Sequence, residues 1–175
     1  MTVQPEAGDF AVCRMGGAAG RLVAIGEWLC GDRFTQYQHA LLCAGRNLII
    51  EAEPGGARAV PMDKARYGGI LWSTGRIPLT GTQRTAICLA ARSYIGTPYS
   101  WLDYWAIAAH RLHIPAPGLR DFIADSSHQI CSQLIDTCYA DAGVHLFTDP
   151  PRWPGYVTPA DLAAVIENAK TPAAA

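Results

Sequence analysis

Residues 39–52 constrain the fold of this chain more than any other stretch. His39-Ala-Leu-Leu-Cys43 and Leu48-Ile-Ile-Glu51-Ala52 are runs of strand-forming residues, and Gly45-Arg46-Asn47 between them is turn chemistry. The segment therefore reads as a β-hairpin, broken after its second strand by Pro54-Gly55-Gly56. Two residues stand out against the apolar background. His39 opens a strand whose other members are apolar, and a buried imidazole costs free energy unless it has partners. Glu51 is the obvious partner. A three-residue loop centred on Gly45 would set it directly opposite His39, whereas a two-residue loop would set it opposite Ala40. A carboxylate bonded to one ring nitrogen orients an imidazole and stabilises its charged form. A structural His–Glu bond at a sheet end is the plainer reading of the same pair. Glu53 reads as a loop charge.

The rest of the chain supplies strands first and helices mostly after them. Phe10–Cys13 and Arg58–Met62 read as short strands, and Ile70–Trp72 with Gly75–Leu79 as another. Gly20–Leu29 has roughly helical spacing, Thr82–Ile95 repeats its apolar residues at three and four, and Trp101–Leu112 is a further helical candidate. A helix over about Gln129–Ala142 is capped by Ser126 or Ser127 and ended by Gly143, and a last one, Ala160–Asn168, starts at Thr158 or Pro159. This order predicts an α+β fold with an antiparallel sheet packed against helices. At 175 residues the chain is one domain, residues 1–170, followed by a disordered tail at 171–175. Half the residues are apolar and 17% are charged, which is a globular composition. A net charge of -1 gives no electrostatic case for binding nucleic acid. No run approaches the ~18 apolar residues of a membrane span. Met1–Gly8 lacks the layout of a signal peptide, so the expected location is cytoplasmic, or phage-associated or exported by a leaderless route. Lys64 and Lys170 are the only lysines among 14 basic residues, a codon bias of GC-rich bacterial or phage genomes.

Six cysteines are present, none in a C-x-x-C pair, so neither structural zinc nor a disulfide framework is expected. Most read as buried free thiols. Cys131 differs. It stands in the first turn of its helix with polar flanks, where unpaired N–H groups and the helix dipole favour the thiolate, the reactive form. Cys138, two turns on, fits a structural role. A thiolate nucleophile needs a base. His110 and His113 form an H-x-x-H pair without an evident third ligand, His145 lies in a loop, and His128 stands close enough to Cys131 to cap the helix or touch substrate. His39 is the candidate with a partner already in place.

These residues resemble a known family. Ile95-Gly-Thr-Pro-Tyr-Ser-Trp101, followed later by Cys131-Ser132, is similar to the G-T-P-Y … C-S signature of the NlpC/P60 cell-wall peptidases. Gly8-Asp9-Phe10, His39-Ala-Leu-Leu and Ile49-Ile-Glu51-Ala52 are similar to that family's histidine half. Here the histidine half comes first, an order resembling the circularly permuted YiiX-like and LRAT-like papain-fold hydrolases. Val157-Thr-Pro-Ala-Asp-Leu162 resembles the closing segment of that branch. The resemblance covers roughly residues 8–165. It implies a permuted papain-like fold with Cys131 as nucleophile, His39 as base and Glu51 as the third polar residue, and it places Tyr99 near the cysteine. Gln133 departs from the acid often found after C-S in the permuted branch, and the insertion 101–127 is long.

The expected activity is that of a cysteine hydrolase cleaving an amide through an acyl-enzyme, with a peptide, including a peptidoglycan stem peptide, as the implied substrate. Tyr99 or His128 would assist the Cys131 N–H at the oxyanion, and no metal or organic cofactor is needed. Permuted relatives also act on lipids, so a lipid acyl hydrolase or acyltransferase is the alternative. Trp101, Tyr104, Trp105, Ile107 and Leu112 would line a lipid site or simply pack the core. A non-catalytic structural or binding protein, such as a phage virion component, is the reading from a different class.

Overall fold

The computed structural model of the chain is described here for residues 4–16, 36–53, 56–97, 131–147 and 157–169. The proposed helices over Gly20–Leu29 and Trp101–Leu112, the cap at Ser126 or Ser127 and the tail at 171–175 lie outside these residues. Among the described residues, five strands precede three helices: β1 (Phe10–Arg14), β2 (His39–Gly45), β3 (Leu48–Glu53), β4 (Gly56–Pro61), β5 (Gly68–Trp72), α1 (Gly81–Ser93), α2 (Cys131–Asp141) and α3 (Pro159–Asn168). A single turn of 3₁₀ helix, Met62–Lys64, links β4 towards β5. The strands form one sheet in the order β4-β3-β2-β1-β5, and every pairing is antiparallel. The fold is thus α+β.

The hairpin forms, but its register is neither of those its sequence offered. Its turn is Arg46-Asn47, both at positive φ (51° and 61°), as a two-residue turn of type I′ requires. Gly45 pairs with Leu48 and Cys43 with Ile49, so Ala44 is an extra residue, a β-bulge. Beyond it Glu51 faces Leu41, not His39 or Ala40. Gly75–Leu79 is not a strand: residues 74–76 turn, with Gly75 at φ 69°, and Pro78 cannot donate to a ladder.

Side-chain alternation sorts the sheet into two faces. Phe10, Val12, Ala40, Leu42, Ile50 and Ala52 point into the main core, where they meet Ile87 and Ala91 of α1, Leu134, Ile135 and Cys138 of α2, and Leu162 and Ile166 of α3. Ala11, Cys13, Leu41 and Ile49 form a second cluster on the opposite face, with Val60, Met62, Tyr67 and Trp72 against it. The helices begin where local chemistry starts them. Thr80 and Thr158 each accept from the N–H three residues on, while Gln83 and Asp161 return the bond to the cap. The five described cysteines, Cys13, Cys43, Cys88, Cys131 and Cys138, are free and buried.

Two contacts fix α1 and α2 against the start of the sheet. The buried Tyr139 hydroxyl donates to the Gly8 carbonyl at 2.7 Å, and its ring meets Phe10 edge-on at 5.5 Å. Arg84 donates to the buried Asp9 carboxylate at 2.7 Å and to the Ala7 carbonyl at 2.9 Å. The Gly8-Asp9 pair is therefore a docking point for both helices. Gly8 sits at φ +88°, and a Cβ there would come within 3.1 Å of the Arg84 Cα. Gly8→Ala should lower unfolding stability by about 1–3 kcal/mol in denaturant titrations. Gly68→Ala, where a Cβ meets nothing within 4 Å, should stay within about 0.5 kcal/mol of wild type.

Candidate active site

The bulge at Ala44 decides which side chains meet. Because Glu51 stands opposite Leu41, it shares a face with His39, and the two meet along a diagonal. His39 Nε2 lies 3.2 Å from Glu51 Oε2. Both residues are buried, with 2% and 1% of their surface exposed. The same register carried two residues further would place Glu53 across from His39.

Cys131 comes from the other layer. It opens the described part of α2 and is buried among the core residues under that helix. Ser132 beside it is also buried, and its hydroxyl donates to the Val157 carbonyl at 2.6 Å, tying this end of α2 to the approach to α3. The Cys131 thiol stands close enough to the His39 side chain and to the backbone N–H groups of Ala40 and Ser132 for all three to favour its thiolate. With Nε2 of His39 taken by Glu51, Nδ1 is the nitrogen left for sulfur.

Burial acts against charge on both groups, and their mutual attraction outweighs it. Burial alone would push the Cys131 thiol up, but the imidazolium, its hydrogen bond and the two backbone N–H groups hold it below the ordinary 9.0. Burial alone would push His39 down, but the Cys131 thiolate, then the hydrogen bonds to Cys131 and Glu51, raise it from 6.5 to about 10. Each group therefore favours the charged form of the other, thiolate with imidazolium, and the thiolate is the reactive form of a nucleophilic cysteine. Cys13 and Cys138 contrast with it, for burial pushes both thiols up, Cys138 to about 12.

Glu51 is held from three further directions. Arg58, its cross-strand neighbour on β4, donates to Oε1 from Nη2 at 2.9 Å and from Nε at 3.1 Å. The Tyr67 hydroxyl lies 2.7 Å from Oε2. Burial would raise the carboxyl, yet the bonds from His39, Tyr67 and Arg58 and the imidazolium charge hold it below its ordinary value. Glu53 belongs to the same network and is not a loop charge. It closes β3, pairs with Arg58, and lies 2.7 Å from the Tyr67 hydroxyl.

Among the described residues, His39, Glu51 and Glu53 form a cluster whose potential ligand atoms lie within 4.8 Å of one another. A cation there would have to displace Arg58 from both carboxylates and Tyr67 from its hydrogen bonds, so the donor set is already occupied by protein.

Of the residues singled out in the sequence, Cys131, His39 and Glu51 are brought together. Tyr99 and His128 lie outside the described residues, as do His110, His113 and the insertion 101–127. His145 lines a separate groove with Ile77, Phe147 and Val165. Sequence reasoning missed Arg58 and Tyr67. Arg58 carries a faint signal, being the one charge in a predicted strand next to the hairpin. Tyr67 sits in an irregular loop without periodicity and carries none. No family model matches this chain, and no curated protein does.

The dyad predicts a titration. The thiolate absorbance that Cys131→Ser removes should show a midpoint below 9.0. In His39→Ala the attraction is lost while the burial remains, so the midpoint should rise above 9.0.

Proposed function

We propose that this chain is a cysteine hydrolase with a papain-like NlpC/P60 fold in permuted order. The observation that carries the reading is a buried thiol in the first described turn of a helix, beside an imidazole that is itself hydrogen-bonded to a buried carboxylate. Structural cysteines do not need such company, because a neutral thiol buries as a small hydrophobe. Motif order supports the same reading, with the histidine half before the cysteine half.

In the proposed reaction the Cys131 thiolate attacks an amide carbonyl of a peptide, with peptidoglycan stem peptides as the leading class. His39 then gives its proton to the leaving amine, and the acyl group stays on sulfur. Water next enters, His39 takes its proton, and hydroxide attack on the thioester frees the acid and restores the thiolate. The Cys131 N–H is the proposed oxyanion donor, assisted by Tyr99 or His128. Glu51 stays ionised throughout, orienting the ring and balancing its charge.

The test is incubation with purified peptidoglycan fragments and, in parallel, phospholipids, read by mass spectrometry. The expected product is an amide cleaved with addition of water. Cys131→Ala should lower the rate about 1,000-fold or more. Hydrolysis that persists unchanged in Cys131→Ala would remove the nucleophile assignment. Turnover of phospholipid alone would move the chain to the lipid acyl hydrolases of the same fold. A wild-type protein that turns over neither and resists every thiol-directed probe would be a structural protein.

A further inference from the structure

We infer that Tyr67 is a positioning residue for His39, restraining the imidazole by a ring contact and its carboxylate partner by a hydroxyl hydrogen bond. The inference rests on the hydrolase reading above and names a residue that reading does not include.

The Tyr67 hydroxyl lies 2.7 Å from Glu51 Oε2, the oxygen that also meets His39 Nε2 at 3.2 Å. The Tyr67 ring packs on the imidazole, with centroids 5.1 Å apart and planes at 44°. One side chain therefore holds both members of the bond between base and carboxylate. Burial and the neighbouring carboxylates push the phenol upward, so it stays protonated and donates.

A carboxylate oxygen has two lone-pair directions. Tyr67 takes one on Oε2 and leaves the other to His39. Arg58 occupies Oε1 with two donors, so the carboxylate cannot rotate to offer His39 another oxygen without breaking a charge-assisted pair. The imidazole is restrained as well. Flipping it would take Nε2 away from Glu51, and tilting it would press it into the Tyr67 ring. The ring is thus held with one nitrogen on Glu51 and the other towards Cys131. A Tyr67 that only packed would need no hydroxyl between the two carboxylates, where its one proton is shared by Glu51 Oε2 and Glu53 Oε1, each 2.7 Å away.

The groups facing His39 define what a titration reads. Among the described residues they are Cys13 across from it on β1, Glu51 and Glu53 on β3, Arg58 acting through both acids from β4, Tyr67 from the loop before β5, and Cys131 from α2.

The experiment follows Cys131 ionisation by the thiolate absorbance that Cys131→Ser abolishes, in the full chain, in the wild type and in four variants. Tyr67→Leu removes both holds and should raise the Cys131 ionisation midpoint, weakening the ionisation constant by about tenfold, the scale of one charge-assisted hydrogen bond. Tyr67→Phe keeps the ring alone and should give an intermediate shift. Met62→Ala, in the same apolar cluster, should lower stability and leave the midpoint in place. His39→Ala separates the two readings. If His39→Ala shifts the midpoint and Tyr67→Leu does not, the positioning role is wrong and the dyad stands. If His39→Ala leaves the midpoint unchanged, the dyad itself fails, and the inference fails with it.

Discussion

A carboxylate removed from water must find donors for its lone pairs, and Glu51 has only 1% of its surface exposed. Much of the site follows from meeting that need. β2 brings His39, β4 brings Arg58, and the loop before β5 brings Tyr67, so donors arrive from three separate segments. His39, then Tyr67 and Arg58, offset the burial that would otherwise drive a proton onto the carboxylate. The Arg58 side chain is about half exposed (53%), so its guanidinium reaches the carboxylate without being fully stripped of water itself. The carboxylate then serves as a fixed support for the imidazole.

The register of one hairpin makes this possible. Without the bulge at Ala44, the Arg46-Asn47 turn would set Glu51 opposite Leu42, on the face where α1, α2 and α3 pack. His39 would then face an apolar cluster with no acid beside it. Strand alternation has a period of two, so a single inserted residue chooses between a working diagonal pair and two buried groups without partners.

The Cys131–His39 pair adds a second pair of charges in series. With that pair ionised, thiolate, imidazolium, carboxylate and guanidinium would alternate in sign towards the sheet edge, each charge beside an opposite one. Buried ion pairs seldom gain net stability, because desolvation opposes the attraction, and removing one partner strands the other. The anchors at Gly8, Asp9, Arg84 and Tyr139 lie within the apolar core or at its rim and hold the helices on the sheet by separate contacts.

The sequence by itself determined the hairpin, the strands-then-helices order and the start of the last helix at Thr158 or Pro159, because alternation, turn residues and caps act within a few positions. It also marked Cys131, His39 and Glu51, since each is out of place in its local surroundings. It misread Gly75–Leu79, where apolar residues looked like a strand but a glycine turn and a proline ended it. Only the tertiary structure decided the register, because a bulge is chosen by what both faces of the sheet must bury and not by the turn alone. Arg58, Glu53 and Tyr67 joined the site for the same reason. A residue becomes a partner through proximity across strands, and no local pattern records that Tyr67 in a loop will meet a carboxylate sixteen positions away.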